Sequence, residues 1–182
     1  MRRRRTLPGA GDRLIARHCL RCGHALSGRP PTCPSCGYIH YVDPKLASCV
    51  LFRWEGGILL GRRAIEPGYG LWTYPGGYVD RGETVEAAAV REAREETGVE
   101  VRIDDLLGVY SYRGQEAVIV VYRGTVLSGE PRPMSETLEV RPFAEDEIPW
   151  DTLAFYSTGE ALRDYIAVER GDHPPGLSRN AR

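Results

Sequence analysis

The sequence predicts an α/β fold, a sandwich of mixed β-sheet and two helices preceded by a small cysteine-bearing module. Three observations carry that prediction. Short apolar runs rich in Val, Leu and Tyr recur from residue 47 to residue 143, punctuated by Gly and Pro. Residues 85–97 contain no Gly or Pro and are dominated by Ala, Glu and Arg, which marks a helix among the strands. Four of the five cysteines fall in two C-x-x-C pairs before residue 37, in a stretch with almost no apolar periodicity. A chain of 182 residues can hold one domain with a sizeable core plus such an appendage.

Composition narrows the class. With 42% hydrophobic and 27% charged residues and a formal net charge of −1, the chain reads as soluble and globular. No global field selects nucleic acid or an anionic membrane. The run Arg2 to Arg5 is followed by TLPGAGDRLIARHCL, which lacks the apolar core of a signal peptide. No stretch approaches the roughly 20 apolar residues needed to span a bilayer. The expectation is a cytoplasmic protein with no membrane partner, whose residues 1–14 form a disordered basic tail. A phosphate or RNA contact is the alternative use of that tail.

Taken in order, residues 15–42 form the cysteine module, since composition changes near residue 42. ASCVLFRW (47–54) and ILLGRR (58–63) flank Glu55-Gly56-Gly57 and predict a β-hairpin. LWTYPGGYV (71–79) is a strand entering a Gly-rich turn. The 85–97 helix has Thr84 as N-cap and Gly98 where a left-handed cap is wanted. Strands follow at 106–112, 117–126 and 137–143, and the run AVIVVY predicts a strand buried on both faces. Ser157-Thr158-Gly159-Glu160 offers a capping box for a last helix, with Ala161, Leu162, Tyr165 and Ile166 as its apolar stripe. Residues 171–182 read as a frayed tail.

The pairs Cys19-x-x-Cys22 and Cys33-x-x-Cys36 are each followed by Gly, as in a zinc knuckle. Without an export signal this spacing speaks for metal rather than disulfides. Four thiolates close a tetrahedral structural zinc site and leave no open position, with a redox dithiol or a metal-free cluster as the alternative. His18, His24 and His40 are near enough to be substitute ligands but read as bystanders beside four cysteines, and Cys49, in an apolar strand, reads as a small buried hydrophobe.

Six acids fall within residues 76–99, and three of them, Glu92, Glu95 and Glu96, are crowded together. Like charges at that spacing repel by a few tenths of a kcal/mol per pair. On a helical wheel the three share an arc of roughly 100°, beside a sector of Ala89, Val90 and Ala93 suited to packing on a sheet. Clustered hard oxygen donors suit magnesium or manganese. A solvated Glu/Arg face is the alternative.

The wider spacing decides between them. Gly77, Glu83, Arg91, Glu92, Ala93, Glu95, Glu96, Gly98 and Val99 match the Nudix box at every specified position, so residues 43–170 resemble a Nudix hydrolase domain. The resemblance implies a Nudix-type α/β/α sandwich that hydrolyses a nucleoside diphosphate linked to another moiety. It implies Glu92, Glu95 and Glu96 as magnesium ligands and Gly77 as a further one through its carbonyl. It also implies Glu83 as the acid that pairs with Arg91 and orients it. Glu92 is the preferred catalytic base, with Glu136 and Glu139 as weaker candidates on a later loop.

A four-cysteine ribbon before this domain resembles the subset containing NADH pyrophosphatases and plant-type FAD/ADP-ribose pyrophosphatases. LEVRPFAEDEIPWDTLAFYST (138–158) looks like the latter. No Ser-Gln-Pro-Trp-Pro-Phe-Pro-like stretch lies between Val99 and Val126, and Gly114 and Gln115 stand where the commonest ADP-ribose enzymes have a proline. Adenine-stacking candidates by type are Tyr69, Trp72, Tyr74, Tyr110 and Tyr112. The expected partner is a small nucleotide diphosphate, with a homodimer and nucleic acid as further partners. A second function class is kept alongside. In it the domain senses a nucleotide or removes an RNA cap, with the zinc ribbon as the RNA contact.

Overall fold

A computed structural model describes residues 17–26, 32–41 and 43–172, and the backbone of 177–181. The expected basic tail 1–14 lies outside the described residues, as do 15–16, 27–31 and 42 of the expected ribbon. Two compact units are present. The cysteine segment up to Lys45 groups with Gly114–Glu116, and Leu46–Arg113 groups with the residues from Ala117 onward.

In the larger unit the strands are β1 (Lys45–Leu51), β2 (Arg53–Trp54), β3 (Gly57–Arg63), β4 (Trp72–Thr73) and β5 (Gly76–Tyr78). After α1 (Val85–Thr97) come β6 (Glu100–Tyr112), β7 (Ala117–Ser128) and β8 (Thr137–Phe143). Single 3-10 turns at Glu145–Glu147 and Trp150–Thr152 lead to α2 (Tyr156–Glu169), and β9 (Leu177–Ala181) closes the order. One sheet runs β5-β1-β7-β6-β9; a second contains β2-β3-β4 with β8 on β3. The first sheet is mixed, with β6 antiparallel to β7 and parallel to β9.

Alternation along the strands divides the core in two. Leu51, Ile58 and Leu60 pack with Leu107, Phe143, Ala161 and Leu162, on the α2 side. Val50, Phe52 and Leu59 pack with Ala89, Ala93 and Val99, on the α1 side. A period of two sends successive residues to opposite faces, so β1 and β3 feed both cores and a helix covers each. This is the sandwich that the sequence predicts.

The hairpin turns at Glu55 (φ 49°) and Gly56 (φ 83°), the positive-φ pair that a two-residue hairpin needs. Helix α1 spans the expected residues. Thr84 Oγ1 accepts from Ala87 N–H at 3.1 Å, and Gly98 (φ 76°) donates its N–H to Arg94 O.

Four expectations are corrected. The strand read across 71–79 is two strands in two sheets, broken at Tyr74-Pro75. In AVIVVY only Val121 and Tyr122 are buried; the residues before them lie near the hairpin turn, where cover is partial. The capping box does not form, because Phe155 is the N-cap and makes no side-chain cap. The buried Thr158 hydroxyl is taken up by a tertiary bond instead, to Thr73 at 3.1 Å. Within the segment read as a frayed tail, 177–181 pair along β6. Main-chain pairing at a free edge requires no side-chain pattern. Among the described residues no helix is long and apolar enough to cross a membrane.

Because Thr84 satisfies an otherwise orphaned N–H of the helix carrying the carboxylates, Thr84→Ala should destabilise the protein by about 0.5–2 kcal/mol. Urea denaturation at unchanged slope is the measurement.

Candidate active site

Helix α1 buries Ala88, Ala89, Ala93 and Thr97 and turns Glu92, Glu95 and Glu96 along its flank beside β5. Small residues on the buried face bring the helix axis close to the sheet. Ser48 Oγ, on β1, donates to Val85 O at 2.6 Å and fixes the start of the helix.

Three carboxylates on one face repel one another, and each takes its own partners. Arg91 supplies most of them. Its Nε and one terminal nitrogen form a two-point pair with Glu83 at 2.9 and 3.0 Å. The other terminal nitrogen donates to Glu92 at 2.7 Å and to Glu95 at 3.2 Å. Arg91 also donates to Tyr78 O at 3.1 Å, which ties the helix to the end of β5. Glu83 is thereby held below the usual carboxylate range, first by Arg91 and then by the Asp80 N–H. Arg91 is raised in turn, chiefly by Glu83.

Glu96 turns inward and accepts from Gly76 N–H at 3.0 Å. Burial pushes it up to about 7, against that N–H, with the charges of Glu92 and Glu136 adding to the rise and Arg63 opposing it. Burial also raises Glu92, opposed by Arg91 and assisted by Glu95 and Glu136. The Gly76-Gly77 doublet is required by close approach. A Cβ at Gly77 would collide with the Glu92 carboxylate, and one at Gly76 with Cys49 Sγ.

Glu136 and Glu139, both expected on a loop, part company. Glu139 lies within β8 and pairs with Arg62 at 3.8 Å, while Glu136 immediately precedes the strand. The segment before Glu136 is tied to the helix C-terminus through Met134 N–H to Glu96 O and Ser135 Oγ to Glu95 O, both at 3.3 Å. Its charge acts on Glu92 and Glu96. Among the stacking candidates, Tyr74 and Tyr110 are core residues. Trp72 packs edge-on against Phe143 and Tyr112 against Tyr156, which leaves Tyr69 as the exposed one. Four contributors escaped sequence reasoning: the Tyr78 carbonyl, the Gly76 N–H, Cys49 and Arg63. The glycine doublet is the signal that could have found the first three. A concavity of about 580 Å³ lined by Arg53, Asp104, Arg123 and Tyr165 includes none of the helix carboxylates.

In the smaller unit Cys19, Cys22, Cys33 and Cys36 bring their Sγ atoms within 4.8 Å of one another, unbridged by disulfides. Among the described residues this is the one group of three or more Cys, His, Asp or Glu gathered so closely; the helix carboxylates are not. The left-handed Gly23 (φ 71°) and Gly37 (φ 70°) close the knuckles, donating to Cys19 O and Cys33 O. Desolvation opposes ionisation of Cys33, but N–H groups of Cys36 and Ser35 outweigh it and bring the thiol to about 7. His18 and His24 are exposed, whereas His40 is buried and hydrogen-bonded to Cys19.

The fold, the box geometry and the comparisons agree. The NUDIX domain model matches residues 44–164. The chain is 33% identical over 138 residues to the ADP-ribose pyrophosphatase of Methanocaldococcus jannaschii, across 74% of this chain and 80% of that one. It is 30% identical over 168 residues to the NAD-capped RNA hydrolase NudC of Pseudomonas aeruginosa, across 88% of this chain. There it spans only 59% of the relative's length. A crystal structure of a NUDIX hydrolase from Nitrosomonas europaea superposes with a TM-score of 0.83 at 34% identity, covering 91% of this chain and 100% of that one. The chain belongs to the Nudix family and is a Nudix pyrophosphohydrolase.

The Glu96 carboxyl sets a pH signature. Unfolded, it ionises from about 4.5; folded, from about 7, so the native state binds the proton more tightly. Its ionisation therefore costs stability progressively from pH 4.5 to 7 and by a constant amount above. Glu96→Gln should stabilise the chelator-treated protein by about 1–3 kcal/mol at pH 8 and by little at pH 4.5. Denaturation at the two pH values checks this.

Proposed function

We propose that this pyrophosphohydrolase depends on magnesium or manganese and cleaves the diphosphate of a dinucleotide-type substrate such as ADP-ribose, FAD or NAD(H). Glu92, Glu95 and Glu96, with the Gly77 carbonyl, would hold the ion. One observation carries this reading. Three hard oxygen donors share a helix face, beside a glycine whose missing side chain leaves room against Glu92. The donor set fits a small divalent cation. A carboxylate as costly to ionise as Glu96 is one that a cation would favour. The names of the archaeal and Pseudomonas relatives support ADP-ribose and NAD-type substrates respectively.

When bound, such an ion neutralises diphosphate charge and lowers the pKa of a water molecule. The chain's own residues supply position and a proton acceptor. Glu83 and the Tyr78 carbonyl anchor Arg91, and Arg91 in turn orients Glu92 and Glu95. Gly76 N–H holds Glu96. Glu92 is the preferred base, already raised by burial. Glu136 is its nearest rival because its charge reaches both Glu92 and Glu96, and Glu139 follows, engaged by Arg62. The same reading assigns structural zinc to Cys19, Cys22, Cys33 and Cys36. A unit with almost no apolar core would draw its folding free energy from that metal.

The test is turnover of a panel of nucleotide diphosphates with and without divalent ions. Hydrolysis of ADP-ribose to AMP and ribose 5-phosphate is the expected result, and no turnover of any diphosphate would overturn the reading. In the same assay Glu96→Gln should raise the magnesium needed for half-maximal rate. Glu83→Gln should lower turnover roughly 10–100-fold while leaving that requirement nearly unchanged. Equal shifts in both variants would refute the division of roles.

Metal analysis of freshly purified protein should find about one zinc per chain. Four freely titratable thiols in the native state would refute the assignment.

A further inference from the structure

Close to the carboxylate helix one cation is left uncommitted. Arg63 ends β3, opposite Thr137 on β8, and the next residue, Ala64, donates its N–H to Glu136 O at 2.8 Å. Met134 and Ser135, just before Glu136, bond the Glu96 and Glu95 carbonyls, so this corner adjoins the carboxylate end of α1. Arg91 is taken up by Glu83, Glu92, Glu95 and Tyr78 O, and Arg62 by Gly70 O and Glu139. Arg63 gives its Nε to Pro67 O at 2.9 Å, and among the described residues no carboxylate takes its terminal nitrogens. A partly buried guanidinium without a counter-charge is a site for an anion.

That guanidinium is held against a ring. Its Cζ lies 5.1 Å from the Phe155 centroid, within cation–π reach. Phe155 belongs to neither core and is 37% exposed at the start of α2. The turn Gly68-Tyr69-Gly70 packs on the same arginine. A Cβ at Gly68 would stand 3.5 Å from Arg63 Cδ and 3.2 Å from the Cβ of Ala154, the neighbour of Phe155. Bonds from Gly70 N–H to Arg63 O and from Arg62 Nε to Gly70 O, both 2.8 Å, pin the turn. Tyr69, at its tip, is 59% exposed. Two exposed rings and a free guanidinium are thereby gathered on one fixed frame.

We propose that Arg63, Phe155 and Tyr69 seat the nucleoside 5′-monophosphate half of the substrate, the guanidinium edge taking the phosphate and the rings the base. This rests on the functional reading above, that the substrate is a nucleotide diphosphate. Guanidinium pairs with phosphate oxygens at two points and stacks its plane on aromatic systems, so one side chain serves both parts. Stacking tolerates any base, so the seat selects a nucleotide over a bare sugar phosphate without choosing among bases. After hydrolysis the nucleotide product, and not the sugar phosphate, occupies it.

The experiment is calorimetric titration of the full chain, with magnesium, by AMP and by ribose 5-phosphate, the two halves of ADP-ribose. AMP should bind at least about fivefold more tightly. Phe155→Leu, which keeps apolar bulk but removes the ring, and Tyr69→Ala should each weaken AMP at least about fivefold and leave ribose 5-phosphate unchanged. Phe155→Tyr should restore the affinity, and Arg63→Gln should weaken AMP roughly tenfold. Melting temperatures equal to the parent's establish that the variants are folded. Absence of saturable AMP binding, equal affinity for the two ligands, or parent-like AMP affinity in both ring variants would overturn the proposal. Equal weakening of both ligands in the ring variants would also overturn it, since that is the mark of a merely structural role. Binding requires no turnover, which separates this inference from the functional reading. A parent chain that hydrolyses no diphosphate yet discriminates AMP in this way would sink that reading and leave the seat intact.

Discussion

The Arg91 guanidinium joins three pieces of backbone that would otherwise be independent. It reaches Glu83 on the loop before the helix, the Tyr78 carbonyl at the end of β5, and Glu92 and Glu95 on its own helix. A planar fork with five donors can serve all of these at once; an ammonium could not impose the same directions. The side chain is largely sheltered, with 22% exposure, so its pairs are screened less than open surface salt bridges. Removing it would leave Glu83, Glu92 and Glu95 without their shared counter-charge, and β5, the strand that carries Gly77, without its tie to Arg91 through Tyr78 O.

Around that hub the packing is close enough to dictate residue size. Strand β5 runs between Cys49 on β1 and Glu92 on α1, and both sides admit only hydrogen at Gly76 and Gly77. The same closeness desolvates Glu96 and raises its pKa to about 7. Stability is thus given up at the carboxylate cluster, where negative charge is concentrated on one helix face. The offsetting contributions come from the two cores, where fully buried side chains of the size of Leu51, Phe52 and Leu59 contribute roughly 1.5–3 kcal/mol each.

The cysteine unit follows a different logic. It has knuckle turns, two glycines at positive φ and four converging thiols in place of an apolar core.

Local signals determined much of this protein in the sequence itself. Helix α1 was legible with both its caps, because Thr84, the Gly- and Pro-free run and Gly98 act within a few residues of one another. The shared face of Glu92, Glu95 and Glu96 follows from helical period alone, and each C-x-x-C pair sits on its own local turn, whereas the meeting of the two pairs is tertiary. The pairing of Glu83 with Arg91 was implied by the resemblance to the Nudix box, and the structure has it. Tertiary structure decided what depends on partners distant in the chain. Ser157 and Thr158 look like the start of a capping box in sequence, yet the helix begins at Tyr156 and Thr73 takes the Thr158 hydroxyl. Glu136 and Glu139 look equivalent, yet one approaches the helix carboxylates and the other pairs along β8 with Arg62. Residues 177–181 carry no clear strand pattern and pair because β6 presents a free edge. Periodicity and capping act over a few residues and can be read along the chain. Desolvation, close approach and edge pairing arise only when distant segments meet, so folding alone decides them.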